Sequence, residues 1–477
     1  MLDLTPEARQ QAILHTLQQL EDYFEQTRNR RVSPKLDIQA IESFAQADFS
    51  QPLAVEAAIN HVIEGLEKYA VQTPHPGYYG LYNPRANFAS ILGDLITATY
   101  NPQMAAWSHS PFSVEVEAHL IREFGKRFGL PHDSIDGVFT SGGAEANTTA
   151  VLCALNHAFP EFANEGVLGV SGRPMIYCSE EAHHSVIKAA RSAGLGLHSV
   201  REIKTNSRQE MEVSILRRTL EEDIQAGCRP FMLIGTAGTT GTGEVDPLPE
   251  LATMAKERGL WFHVDAAWGG AAILSERLAP LLNGIAQADS ITFDAHKWLS
   301  VPMSCSLFVT SDPEILSKTF RITTEYMPKD AGELEITDPF THSIQWSRRF
   351  IGLKLYLSLL MFGWEGYAAV IEHQAQIGDR LRRLLEAKGW KIMNATSLPV
   401  ICFHHQVYLN DPDFVPWIAQ SVVDSGKAWI SRYPVNGVPA LRACITNYAT
   451  QESDLTLLVD LLEAKRGDYD RMKHMGI

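Results

Sequence analysis

The stretch Val138-Phe139-Thr140-Ser141-Gly142-Gly143-Ala144-Glu145-Ala146-Asn147 reads as a short apolar strand, a glycine turn and the start of a helix that runs to about His157. The same change of period recurs downstream. Met175-Ile176-Tyr177-Cys178 is a strand followed by a helix beginning near His184, and a helix near 211–226 leads into the strand Phe231-Met232-Leu233-Ile234-Gly235. Trp261-Phe262-His263-Val264-Asp265 and Asp289-Ser290-Ile291-Thr292-Phe293 are two further strands. Asp246-Pro247 reads as a helix N-cap with proline in the first turn. Strands alternating with helices predict an α/β fold with a mostly parallel sheet and helices on both faces.

On either side of this region the pattern is helical. Leu14, Leu17 and Leu20, then Val55, Ile59, Val62, Ile63 and Leu66, recur at helical spacing within residues 7–70. Thr73-Pro74-His75-Pro76-Gly77 breaks that pattern, and a third helical stretch covers about 88–128. A long helix is expected from near Gln345 past Leu360. A helix around 368–388, strands Pro399–Phe403 and Leu441–Ile445, and a closing helix from about Glu452 follow. The expected organisation is a helical N-terminal segment (1–84), a large α/β domain (85–365) and a small C-terminal α+β domain (366–477).

The 477 residues carry a formal net charge of -15. That disfavours nucleic acid, which demands a basic face. Six scattered cysteines, with no C-x-x-C pair, give neither a disulfide framework nor a zinc knuckle. They suit buried thiols in a reducing compartment. The N-terminal residues lack a basic stretch followed by an apolar core, and no apolar run is long enough to span a bilayer. The expected location is the cytoplasm, with no membrane association.

Chemistry-bearing residues fall where the strands end, which is where open α/β sheets bind ligands. Lys297, in Asp294-Ala295-His296-Lys297-Trp298, follows a buried-type strand and can be a desolvated amine nucleophile. A lone lysine there is more often a solvated turn residue. Asp265 ends the preceding strand, and a carboxylate there can pair with a protonated ring nitrogen; its plainer reading is a turn or cap residue. Ala267, small and two residues on, would let a flat ring approach the backbone. Gly142, Gly143 and Ala144 free backbone N–H groups to face an anion at the positive end of a helix. The pattern is neither G-x-G-x-x-G nor a P-loop, so one phosphate fits better than a dinucleotide. His183, in Ala182-His183-His184-Ser185, can stack on a heteroaromatic ring or be a hydrogen-bonded core histidine. Adjacent histidines do not converge on one ion, so no metal is expected.

Phosphate turn, stacking histidine, carboxylate and lysine thus appear in succession. In this order the sequence resembles the group II pyridoxal-phosphate decarboxylases, the fold-type-I family that includes aromatic L-amino-acid, glutamate, histidine and cysteine-sulfinate decarboxylases. The resemblance covers roughly 50–477 and is densest from Gly137 to Leu307. It extends to Gly235-Thr236-Ala237-Gly238-Thr239-Thr240-Gly241-Thr242-Gly243-Glu244-Val245-Asp246 and to Ser347-Arg348-Arg349-Phe350.

The resemblance implies a PLP-dependent fold with Lys297 bonded to the cofactor aldehyde, Asp265 on the pyridine nitrogen and His183 stacked on the ring. Gly142, Gly143, Ala144 and His296 would contact the phosphate, and Thr240 would lie near the phenolic oxygen. Many members have asparagine where this chain has Asp294, and an ionised carboxylate repels a phosphate. Asp294 is therefore given no phosphate role. The segment Thr324–Glu335 resembles the family's mobile catalytic loop, and Tyr326 matches the tyrosine that returns a proton after carbon dioxide leaves. Phenylalanine there would favour aldehyde-forming members. Tyr78, Tyr79 and Trp107 fall in segments like the family's aromatic mouth, and suit an aromatic or bulky substrate. Arg85 could instead receive an acidic side chain. The family is homodimeric with shared active sites, clasped by the N-terminal segment. Rival readings are a same-fold aminotransferase, with Arg442 clamping the α-carboxylate, an aldehyde synthase, and a silent binding protein.

Overall fold

The computed structural model describes residues 3–322 and 336–475. Three helices come first, α1 (Pro6–Gln26), α2 (Ile38–Ala45) and α3 (Val55–Tyr69), then α4 (Phe88–Tyr100) and α5 (Pro111–Arg127). The α/β region follows as β1 (Asp136–Thr140), α6 (Gly143–Ala158), α7 (Phe162–Glu165), β2 (Arg173–Ser179), α8 (Ser185–Ser192), β3 (Val200–Ile203), α9 (Val213–Gln225) and β4 (Cys228–Thr236). It continues through α10 (Leu248–Arg258), β5 (Trp261–Asp265), β6 (Ser290–Asp294), β7 (Ser306–Thr310) and α11 (Ile315–Phe320). The long α12 (Leu353–Glu386) leads to β8 (Trp390–Ile392), β9 (Val400–His405), α13 (Phe414–Ser425), β10 (Ser431–Val435), β11 (Val438–Cys444) and α14 (Glu452–His474).

The large sheet has seven strands in the order β1-β7-β6-β5-β4-β2-β3. The pairs β3–β2, β2–β4, β4–β5 and β5–β6 are parallel, while β7 runs against both β6 and β1. Strands β5, β6 and β7 are buried throughout, as a sheet covered on both faces requires. The register brings the strand ends together. Thr236 pairs with Asp265, and Thr140 and Asp294 both align with Ser306 of β7. The turns after β1, β5 and β6 therefore open on one edge. A second, antiparallel sheet, β10-β11-β9-β8, has its own core around Leu381, Trp390, Phe403, Phe414 and Leu458.

Three expectations about elements need correction. The helical stretch over 88–128 is two helices, because Asn101 takes a left-handed φ of 45° just before Pro102 and halts α4. The long helix starts at Leu353 and not near Gln345. Buried Glu117 holds the preceding chain out of helix: its Oε1 accepts from the N–H groups of Ile351 and Gly352, and its Oε2 lies 2.6 Å from Arg348. Asp246 does not cap α10, because its two oxygens are taken by the N–H groups of Met211 and Thr236.

Candidate active site

Strand β6 stops at Asp294, and a tight turn in which the Lys297 N–H donates to the Asp294 carbonyl folds the lysine back over the strand end. The Lys297 amine lies 3.0 Å from Asp294 Oδ2, the lysine side chain 25% exposed and the aspartate 2%. Asp294 also faces Gly143. A Cβ on Gly143 would lie 2.8 Å from Asp294 Oδ2, so only glycine permits this approach. The other oxygen, Oδ1, is buried and has no hydrogen-bond partner among the described residues. His296 turns inward, with Nδ1 near the backbone of Cys305 and the Ser306 hydroxyl, and Nε2 3.8 Å from Asp294 Oδ2. Burial lowers its pKa, and Asp294 opposes that shift.

Helix α6 begins at Gly143 with no side-chain cap, and a Cβ on Gly142 would meet nothing within 4 Å. An uncapped helix N-terminus facing open space is an anion cradle in form. Asp265, at the end of β5, is 6% exposed. Its Oδ1 accepts from the Ala267 N–H at 3.1 Å and its Oδ2 from Asn147 Nδ2 at 2.8 Å. His183 accepts from the Ser185 N–H through Nδ1, which leaves Nε2 for the proton of a neutral ring. Burial holds its pKa below the ordinary histidine value; Asp265 opposes this and Lys297 adds to it, so the three groups share one field.

Behind these strand ends the core is aromatic, and its rings are buried. Tyr82 packs on Trp268 at 4.5 Å, and Trp268 stacks on Trp298 at 5.3 Å with the rings 4° from parallel. The Tyr82 hydroxyl donates to the Thr240 carbonyl, while the Thr240 side chain is exposed. Arg442 spends its guanidinium within the chain, donating to the carbonyls of Gly241, Gly80 and Thr240 and to Ser431 Oγ.

The remaining candidates are held by contacts of their own. Tyr79 is 1% exposed and packs in the core of the small sheet, so a substrate cannot reach its ring. Tyr78 leans on Trp429 and donates to Asn83. Trp107 is tied to Asp338 and Glu115. Arg85 lies 5.0 Å over the Phe24 ring, in a groove with Glu21, Phe88 and Tyr448. Tyr326 lies outside the described residues. The sequence reading gave no role to Asn147, His263 or Thr292, and missed the Lys297–Asp294 pair. The available signal was polar residues at interior positions of apolar elements.

A strand-end amine, a second-strand carboxylate with donors already in place, and an uncapped helix N-terminus define an enzyme class that works through a bound aldehyde cofactor. The pyridoxal-dependent decarboxylase conserved domain matches residues 43–406, and the chain belongs to that family. It is a PLP-dependent amino-acid decarboxylase, a lyase. It is 30% identical over 397 residues to an aromatic-L-amino-acid decarboxylase of Bacillus atrophaeus, covering 82% of this chain and 81% of that one. It is 29% identical over 348 residues to the L-aspartate decarboxylase dtxS4 of Metarhizium robertsii, covering 72% and 69%. Mouse CSAD in apo form shares the fold, with a TM-score of 0.90 at 25% identity, covering 96% and 99%.

The residues present fit pyridoxal phosphate. The open space beside Gly142 and the uncapped start of α6 suit a phosphate, and the acceptor oxygens of Asp265 suit a protonated pyridine. Lys297 supplies the amine. When bound, the cofactor supplies an electron sink for the bond that breaks.

Proposed function

We propose that this chain decarboxylates an aromatic L-amino acid to its amine and carbon dioxide, as a cytoplasmic homodimer with shared active sites. The observation that carries the reading is the convergence of Lys297, Asp265 and His183 at one sheet edge. Lys297 holds the cofactor, Asp265 keeps the pyridine nitrogen protonated, and His183 covers the ring. The N–H groups of Gly142, Gly143 and Ala144 receive the phosphate, with His296 a further contact, and Thr240 lies near the phenolic oxygen. Ala267 leaves the ring room to approach β5.

An aromatic substrate is favoured over an acidic one because the arginines near the site are committed. Arg85 is turned onto Phe24, and Arg442 is bonded to three carbonyls and a hydroxyl. The commitment of Arg442 also counts against an aminotransferase that would use it as a carboxylate clamp. Tyr326 is assigned the return of a proton to the substrate carbon, and Tyr78 and Trp107 the outer rim of the mouth. The reading assigns the chain three parts, 1–84, 85–365 and 366–477. The kink at Gly363 in α12, φ 62°, lies beside the second boundary. Helix α1 supports the dimer: none of its residues is buried in one chain, and Ile13, Leu14 and Leu17 are 53%, 59% and 46% exposed. Such a stripe marks a face that a partner covers. Free, mostly buried cysteines and the lack, among the described residues, of a helix fit to cross a membrane agree with the assigned location.

The test is carbon dioxide release from each of the twenty amino acids by the PLP-loaded chain, with sedimentation of the same sample. Preferred release from tryptophan, tyrosine or phenylalanine, with amine as product, at twice the 53.0 kDa chain mass, is expected. Preferred release from aspartate or glutamate, keto acid or aldehyde as product, or a stable monomer would contradict the corresponding part.

A further inference from the structure

Beneath Asp265 lies a set of buried polar groups that the proposed chemistry does not use. Asn147 of α6 is 2% exposed, and His263 of β5, Ser290 and Thr292 of β6 are each 0% exposed. The hydrogen bonds among them are continuous. Trp261 Nε1 lies 2.8 Å from Ser290 Oγ, which lies 2.8 Å from His263 Nδ1. His263 Nε2 lies 3.1 Å from Asn147 Oδ1, which also receives Thr292 Oγ1 at 2.8 Å. Thr292 Oγ1 and His263 Nε2 are themselves 3.3 Å apart. Asn147 Nδ2 reaches both Asp265 Oδ2 and Ser185 Oγ at 2.8 Å.

The direction of these bonds is set from the Asp265 end. An indole N–H can only donate, so Ser290 accepts from Trp261, and its hydroxyl keeps a proton that it can offer to His263 Nδ1. A neutral imidazole that accepts at Nδ1 carries its proton on Nε2, and so donates to Asn147 Oδ1. At the other end an ionised carboxylate can only accept, so the Asn147 amide must present its NH2 to Asp265 and its oxygen to His263. His263 donating through Nε2 then accepts from Ser290 at Nδ1 as a neutral ring, and both N–H groups of Asn147 are used.

We infer that Trp261, Ser290, His263 and Asn147 form a one-way donor relay that holds Asp265 as a fixed acceptor for the cofactor's ring nitrogen, with Asn147 as the positioning residue. This rests on the proposed role of Asp265 and adds how the chain secures it. Among the described residues, Asp265 receives the amide N–H groups of Asn147 and Ala267. Burial keeps His263 neutral, lowering its pKa to about 4. Asn147 also stands on the helix whose first turn forms the anion cradle, so one rigid element sets both contacts to a ligand.

Two measurements test the relay. In the cofactor-free full chain labelled with 15N-histidine, the His263 signal, assigned by its loss in His263→Gln, should report the Nε2–H tautomer throughout the neutral range. An Nδ1–H tautomer or an imidazolium would overturn the relay. Next, Asn147→Leu should weaken PLP binding about tenfold by fluorescence titration, and the same change in an Asp265→Ala background should have no further effect. A tenfold loss that persists without Asp265 would mean Asn147 acts structurally, against the proposal. A wild-type chain that takes up no PLP would end the proposed function instead, and the tautomer would still decide the relay.

Discussion

Lys297 and Asp294 meet at 3.0 Å, so the cofactor-free chain holds its nucleophile as half of an ion pair. The same carboxylate presses on Gly143 in the turn that opens α6. An incoming phosphate therefore meets a negative group where the helix end offers positive ones, and the two effects oppose each other. Replacing Asp294 by asparagine removes the charge and keeps a hydrogen-bond acceptor for the lysine. Asp294→Asn should bind PLP more tightly than the wild type, by roughly tenfold for a partly buried like-charge contact, measured by fluorescence titration. Weaker binding would show that the carboxylate serves the cofactor. The acid at 294 was visible in the sequence, and so was its conflict with a phosphate. Its partner was not, because a lysine three residues away reaches back only when the chain turns sharply after β6.

Helix α6 is the element on which most of the site depends, since it carries the turn at one end and Asn147 one turn further in. Its glycines are not equivalent. A Cβ at Gly143 would collide with Asp294, whereas at Gly142, with an extended φ of 177°, it would enter open space. Gly143→Ala should destabilise the fold by about 1–3 kcal/mol, the usual range for overpacking, and Gly142→Ala should be close to neutral, both read from urea midpoints. Equal losses would contradict the placement of Asp294. At this scale β1, β2, β4, β5, β6, β9 and β11 were legible to within a few residues, because burial writes a continuous hydrophobic run, whereas β3, β7, β8 and β10 were not read as strands. The run at 306–310 gives no sign that β7 is antiparallel, since direction is set by its connection and not by its side chains. The start of α12 was misread for a related reason: Glu117, far away in sequence, captures the backbone at Ile351 and Gly352.

The two sheets meet along a seam closed by a buried acid. Glu244, 4% exposed, accepts from the N–H groups of Ala395 and Thr396, both through Oε1. Burial pushes its carboxyl up to about 7. The folded chain thus holds this proton more tightly than the unfolded chain, whose glutamates titrate near ~4.3. The resulting stability is full below the lower value and is lost as pH rises through the higher one. Glu244→Gln keeps an oxygen for both N–H groups and removes the titration. Between about pH 4.5 and 8 the wild type should lose on the order of 3 kcal/mol relative to this variant, as followed by urea unfolding. Parallel pH profiles would contradict the assignment. No single segment announces this seam, because it joins residues some 150 positions apart.

Everything at the larger scale serves to bring one amine to one aldehyde. The most direct measurement is to load the chain with PLP, reduce it with borohydride and locate the modified peptide by mass spectrometry. The account predicts a single pyridoxyl group on Lys297. A label on another lysine, or none, would contradict it.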